Sequence, residues 1–147
     1  MVKFRMTGVT IDQFAILADE YEKVKEWQVD VVLTSSFSLD PLEAAIKMKF
    51  LFRHQDTKML MLEVTCRFKI DGAEEFKVKD GKMIVPSGFV AHLAMHTVGT
   101  ARGILVCKTE GTPYSQYILP PINVADMITS DIRIALDQKT ASESSRR

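Results

Sequence analysis

Apolar and polar residues alternate in three successive runs between residues 27 and 70. A period of two places the apolar side chains of each run on one face of a β-strand. Asp40-Pro41 separates the first run from the second, and the polar segment 54–58 separates the second from the third. Consecutive strands with short connections predict an antiparallel meander. The inward positions are Trp27, Val29, Val31, Leu33, Phe37 and Leu39, then Ala44, Ile46, Met48, Phe50 and Phe52, then Leu60, Leu62, Val64, Cys66, Phe68 and Ile70.

Residues 2–17 give a weaker alternation, which Gly8 interrupts. Because an isolated glycine in a strand pattern is typical of a bulge, this stretch predicts a first strand with a kink. Residues 18–26 are mostly charged, and Tyr21 is their one aromatic residue. They predict a crossover loop rather than part of the core.

Beyond Pro86 the apolar period changes from two to about 3.6, which predicts an amphipathic helix of about twenty residues. Gly111 and Pro113 follow it and predict its end. The apolar stripe of this helix consists of Val90, Leu93, Ala94, Thr97, Val98, Ala101, Ile104 and Leu105.

A second helix is predicted near the end of the chain, with Asn123 as its N-cap and Asp126 three residues later. The polar, serine-rich residues 138–147 predict a disordered tail. Strands first and helices last indicate an α+β domain over residues 1–137, with a four-stranded antiparallel sheet packed against two helices. The apolar face of the second helix would consist of Met127, Ile128, Ile132, Ala135 and Leu136.

Composition narrows the classes of function. Lys+Arg and Asp+Glu balance at 19 each, so no net field attracts nucleic acid or an anionic membrane surface. Neither an apolar run of membrane-spanning length nor an export signal is evident, so we expect a cytoplasmic protein without membrane insertion. In that compartment Cys66 and Cys107 are expected to be buried thiols.

His92-x-x-x-His96 is the strongest catalytic lead, because this spacing places two imidazoles on one helical face. A helical zinc protease needs a glutamate after the first histidine, and that position is Leu93. No third ligand, nucleophile elbow or phosphate-binding glycine loop is evident. We therefore expect no metal, no cofactor and no enzymatic activity, and rank a metal-dependent enzyme last.

The segment 112–122 is unusually apolar for a connection. It combines three prolines with Tyr114, Tyr117, Ile118 and Leu119, side chains that need a surface to lie on. Arg102, a cation within the apolar helix stripe, likewise needs a partner and indicates a structural ion pair or an interface contact.

Three pieces of the chain resemble the SecB export chaperones, and the resemblance spans residues 2–136. The first is Trp27-Gln28 followed by Val31 and Leu33, and the second is Ala101-Arg102 followed by Ile104. The third is Gly111-Thr112-Pro113 leading to Leu119-Pro120-Pro121-Ile122-Asn123. The resemblance implies a homotetramer, a dimer of dimers, that keeps preproteins unfolded without a cofactor.

The resemblance also implies a groove for apolar client segments, formed by the crossover loop, the long helix and the loop between the helices. Because the chain is neutral where the family is acidic, an interaction with SecA stays open. A chaperone dedicated to one client such as an antitoxin, and a carrier of a small apolar ligand, are the alternatives. The expected client-binding residues are Phe14, Ile16, Leu17, Tyr21, Trp27, Phe89, Tyr114, Tyr117, Ile118 and Leu119.

Overall fold

Strands dominate the first half of the chain, and one long helix follows them in this computed structural model, which describes residues 1–18, 27–136 and 144–146. The arrangement is α+β, as the sequence predicts. Three short 3-10 turns connect the elements, at Ala73–Glu75, Pro113–Gln116 and Val124–Asp126. The main elements are β1 (Lys3–Ile16), β2 (Gln28–Ser38), β3 (Glu43–His54), β4 (Thr57–Asp71), β5 (Val78–Lys79), β6 (Lys82–Val85), α1 (Ser87–Thr109), β7 (Ile132–Ala135) and β8 (Ser144–Arg146).

β1 to β4 form the predicted four-stranded antiparallel sheet, in the spatial order β1-β4-β3-β2. Short connections join β2 to β3 and β3 to β4, so these three strands form a meander. The connection from β1 to β2 is longer, and β1 pairs with the far side of β4. The predicted kink of β1 is confirmed, because its pairing with β4 shifts register between Met6 and Gly8 and again between Ile11 and Gln13. β8 adds a short strand to the outer edge of β2.

The core lies between this sheet and α1. Cross-strand pairs such as Phe52 with Leu60 and Met48 with Val64 are fully buried. The stripe of α1 packs on them, with Leu93 and Leu105 fully buried as well. Burying each such side chain stabilises the fold by about 1.5–3 kcal/mol, so this layer dominates the stability of the domain.

Both ends of α1 are held by groups outside the helix. At its start, the Asp131 carboxylate accepts a 2.8 Å hydrogen bond from the Ser87 N–H, which satisfies one unpaired donor of the first turn. At its end, Gly111 takes φ 80°, the left-handed conformation that glycine adopts at low cost. By length and composition α1 could cross a membrane, but a core helix of a soluble protein passes the same test.

The predicted second helix is wrong, and α1 is the one α-helix in the described residues. Asn123 donates its side-chain amide to Asp126 at 3.0 Å and does not cap a helix, and a single 3-10 turn follows it. Ile132 and Ile134 are both buried in β7, which pairs with β6 in a second, three-stranded sheet. Residues 132–135 therefore form a strand in which every second side chain is buried, and not the predicted helix.

The predicted crossover and tail lie largely outside the described residues. Of residues 18–26, the structure describes only Ala18. Of the predicted tail 138–147, it describes only the backbone of β8 beside β2.

Both cysteines are free thiols, but only one of them is buried as predicted. Cys66 lies in β4 beneath α1 and is completely inaccessible, and this burial raises the pKa of its thiol. Cys107 lies on the exposed side of α1. The sequence pattern missed this because Cys107 is adjacent to the apolar stripe but does not belong to it.

We predict that a thiol reagent modifies one cysteine rapidly in the native protein, and the second only when the chain unfolds. The thiolate is the reactive form, and Cys66 is both shielded and held protonated by burial. Labelling kinetics followed with and without denaturant measure this. The variant Cys107→Ser should lose the rapid phase, and two rapid phases in the native wild type would contradict the buried position of Cys66.

Candidate functional site

An open apolar furrow of about 670 Å3 runs along the edge of β2, between that strand and the segment after α1. One wall comes from β2 and the residue before it, and the other from residues 118–122. No side chain in either wall is charged. The lining residues are Trp27, Val29, Val31, Ile118, Pro120, Pro121 and Ile122.

The β2 wall follows from alternation along an edge strand. Val29 and Val31 pair with Phe52 and Phe50 of β3 and lie on the same face of the sheet as Leu33. Leu33 is fully buried, whereas the two valines are only half-buried. The sequence pattern therefore predicts the correct face of β2 but not that part of this face is left uncovered.

Arg102 fixes the opposite wall of the furrow to α1. Its Nε donates to the carbonyl oxygen of Leu119 at 3.0 Å, and one terminal guanidinium nitrogen donates to that of Pro120 at 3.1 Å. Arg102 therefore has hydrogen-bond partners, but the structure shows no ion pair for it among the described residues, and backbone carbonyls take the place of the expected carboxylate. Both hydrogen bonds come from one planar guanidinium, whose nitrogen atoms have fixed directions. They therefore fix the orientation of residues 118–122 as well as their position.

An aromatic stack supports the furrow from below. The rings of Trp27 and Tyr117 lie 4.9 Å apart at 26°, and Phe52 stacks on Tyr117 at 5.9 Å and 14°. The 3-10 turn Pro113–Gln116 has a period of three, which places Tyr114 on the same side as Tyr117. Both tyrosines thus point into the core.

The expectation that the residues of this segment are accessible is wrong for most of them in the subunit. Tyr114 is 4% exposed, Tyr117 is fully buried and Leu119 is 2% exposed. Ile118 is 53% exposed and reaches the furrow. The reason is local: consecutive residues of an extended segment point to opposite sides, so Tyr117 and Leu119 fill the core while Ile118 faces out.

Of the other expected client-binding residues, Trp27 lines this furrow, whereas Phe14, Ile16, Leu17 and Phe89 lie away from it. Phe14, Ile16 and Leu17 are half-buried or exposed at the β1 edge, and β4 and β3 separate them from β2 by about 14 Å. Phe89 contacts Phe4 near the start of α1, about 20 Å along the helix from Arg102. Tyr21 lies outside the described residues.

The furrow also contains Val29 and Val31, which the sequence analysis assigns to the core, and Pro120–Ile122, which it includes in the groove-forming loop but not among the client-binding residues. The two valines were read as core because their alternation continues without a break into Leu33. A usable signal is the pair Pro120-Pro121 within an uncharged stretch, residues 117–122. Proline favours strand edges and loops, and its neighbours there are often only partly covered.

His92 and His96 are exposed on α1 and stack on each other with ring centroids 5.2 Å apart. Both also make edge contacts with the ring of Phe4 at 5.3 Å. Within residues 1–18 and 27–136 no group of three or more His, Cys, Asp or Glu side chains is placed to hold a metal. The two histidines and Phe4 form an aromatic cluster on the first half of α1, and His96 lies about 9 Å along the helix from Arg102.

The nearest ion pair lies on the far face of β2. Arg53 donates from Nε to the Asp30 carboxylate at 2.6 Å, and this hydrogen bond holds the pKa of Asp30 below its ordinary value. Because Asp30 points away from Val29 and Val31, this charge does not enter the furrow. Within the described residues, the walls of the furrow offer apolar contact and backbone hydrogen bonds, and none of their side chains is an acid, a base or a nucleophile.

Neither a model of a known protein family nor a curated protein matches the chain. The resemblance to SecB consequently rests on the three sequence pieces alone.

We predict that Arg102→Ala lowers the free energy of unfolding by about 2 kcal/mol, because two charge-assisted hydrogen bonds are lost. Arg102→Lys should lose less, since one donor remains. Urea unfolding measures the change. Emission of Trp27, the sole tryptophan, should shift to the red in Arg102→Ala as Tyr117 and its segment loosen.

The matched control is Arg133→Ala, which removes an exposed guanidinium from β7 and should change stability by less than about 0.5 kcal/mol. Equal stability of Arg102→Ala and wild type would show that the segment is held by its buried tyrosines without help from Arg102.

Proposed function

We propose that the protein is an ATP-independent holdase of the SecB type, which binds apolar segments of unfolded polypeptides in the furrow beside β2. The observation that carries the proposal is an open, uncharged apolar furrow on a chain that otherwise balances its charges. Folded proteins bury the segments that would fill it, so the furrow would select unfolded chains.

The chemistry of the walls supports broad selectivity. Apolar contact contributes about 25 cal/mol per Å2 and is not directional, so valine, isoleucine and proline side chains accept many sequences. A site built for one ligand normally carries a few polar groups that fix its orientation. Among the described lining residues, the indole of Trp27 is the one side chain that can form a hydrogen bond, and none is charged.

One furrow makes only a small contact, so useful holding needs several furrows on one client. We propose that the protein works as a homo-oligomer, a dimer of dimers, in which a long unfolded chain occupies furrows of more than one subunit. Linked weak contacts multiply affinity because the second binding event is intramolecular.

A carrier of a small apolar ligand is the second candidate, since the furrow volume of about 670 Å3 falls in the range of ligand pockets. The open shape of the furrow and the absence of a side chain that would orient a ligand favour the holdase. Native mass spectrometry separates the two, because a carrier should retain a lipid-sized adduct. A chaperone dedicated to one client would use the same furrow and should fail on unrelated clients.

We predict that the protein suppresses aggregation of a chemically unfolded client at a near-equimolar ratio without ATP. Val31→Ser should weaken the effect about fivefold, because it removes about 1 kcal/mol of apolar contact from the furrow. Ile118→Ser should act in the same direction, and its 53% exposure makes loss of the fold a small concern. Light scattering of the client measures the effect.

Val32→Ser is the matched control, because Val32 is the next residue of β2, is 49% exposed and faces the opposite side of the sheet. It should hold the client as well as the wild type does. No suppression by wild type at tenfold excess would refute the holdase, and equal losses in Val31→Ser and Val32→Ser would place binding elsewhere.

A further inference from the structure

Two histidines, His92 and His96, lie one turn apart on α1, and both side chains are exposed. A spacing of four residues brings two side chains to the same face of a helix, about 6 Å apart along its axis. Imidazole is a common ligand of zinc, copper and nickel. The proposed holdase makes no use of either histidine, so their role is a separate question.

We propose that His92 and His96 together bind one divalent transition-metal ion, of the class of Zn²⁺, Ni²⁺ and Cu²⁺. The inference is independent of the holdase function. It departs from the expectation of no metal drawn from the sequence, which rested on the missing third ligand. An ion held by two imidazoles keeps its remaining positions for water or for a group from outside the chain.

The distance between the two rings fits a shared ion. A zinc ion lies about 2.1 Å from a coordinating histidine nitrogen, and therefore about 3.2 Å from the centre of that ring. Two rings bound to one tetrahedral ion consequently have centres about 5.3 Å apart. The ring centroids of His92 and His96 are 5.2 Å apart. The pair is thus spaced for one ion without a change of the backbone or of χ1.

Rotation about χ2 is the adjustment that brings the nitrogens to the ion. The rings face each other at an interplanar angle of 27°, whereas a shared ion must lie in the plane of each ring. The Cβ–Cγ bond points through the ring centre, so turning a ring about it moves the nitrogens and leaves the centroid in place. This torsion is broad for histidine and both side chains are exposed, so the adjustment costs little.

Phe4 of β1 supports the pair from the side. Its ring makes edge contacts with both imidazoles, at 5.3 Å and 70° in each case. Phe4 is itself held by edge contacts with Phe68 and Phe89 at 5.8 Å. Rings whose positions are already restricted lose less conformational freedom when they bind an ion. β1 therefore contributes to the site by positioning its ligands.

The ligand set selects the class of ion. Within residues 1–18 and 27–136, no third His, Cys, Asp or Glu side chain joins the pair in a metal-binding group. The described pair offers nitrogen ligands, whereas Ca²⁺ and Mg²⁺ take oxygen ligands. Imidazole suits Cu²⁺, Ni²⁺ and Zn²⁺, and Cu²⁺ binds most tightly of the three. Ca²⁺ and Mg²⁺ should therefore not bind to the pair.

Titration calorimetry with Zn²⁺ alone tests the site. The parent protein is the full-length chain with Cys107→Ser, which removes an exposed thiol as a competing ligand. We expect one ion per chain. His92→Gln and His96→Gln should each lower the affinity at least about tenfold, because a single imidazole cannot chelate the ion. Both positions are exposed and glutamine is a good helix former, so the fold should persist.

His54→Gln is the matched control, because it removes a histidine from the end of β3. It should bind Zn²⁺ like the parent protein. A second control, His96→Gln with Gly103→His, keeps two histidines on α1 but places them about 16 Å apart along the helix. A Cβ atom at Gly103 meets no other atom within 4 Å, so the helix should tolerate this change. Its affinity should stay at the level of His96→Gln.

A second measurement follows the stability of the native protein. An ion that binds the folded chain raises the midpoint of thermal unfolding by mass action. At a Zn²⁺ concentration of about a hundred times Kd, the rise should be about 5 °C in the parent protein and at most about half as large in His92→Gln. Mg²⁺ at the same concentration should cause no rise.

No Zn²⁺ binding by the parent protein, or equal affinities in His92→Gln and His54→Gln, would overturn the site. Recovery of affinity with Gly103→His would overturn chelation, because separate histidines would then suffice. One ion per two chains would overturn the open site, since two copies of the pair would then enclose one ion. The holdase is unaffected by each of these outcomes, because neither histidine of the pair lines the furrow.

Discussion

The guanidinium of Arg102 forms the interaction on which the candidate site depends. Its two hydrogen bonds to the carbonyls of Leu119 and Pro120 tie an otherwise irregular segment to the rigid core helix. These hydrogen bonds orient Ile118 outward. They also engage two carbonyl oxygens of this wall. A wall whose side chains are all apolar has apolar contact as its main means of binding.

The strands and the long helix were predictable because each carries its period over many residues. β3 and β4 each present five or six buried residues at a strict spacing of two, and α1 keeps its stripe from Val90 to Leu105, over more than four turns. The prediction of a second helix was wrong because it rested on a few apolar residues whose spacing fits a strand as well as a helix. Ile132 and Ile134 belong to β7, and the partner strand that decides this, β6, lies some fifty residues earlier.

The site was only half predictable from the sequence, for a related reason. That residues 112–122 need a surface follows from their composition, and the structure provides one. Which members of the segment face out depends on the path of the backbone, and this path is set by Arg102 and by the stack of Trp27 on Tyr117. From the sequence, Tyr117 and Ile118 both count as apolar residues of this segment. In the structure Tyr117 is 0% exposed, whereas Ile118 is 53% exposed.

An uncovered edge strand is a liability in a folded domain, because its unpaired backbone groups invite aggregation. Among the described residues, the stretch of β2 without a partner strand on its outer side is short, running from Gln28 to Val32. Pairing over about five residues is weak by itself, since isolated two-stranded pairing is marginal in water. The apolar contact that the adjacent furrow offers is weak as well, and the proposed holdase, which must later release its client, would need such weak binding.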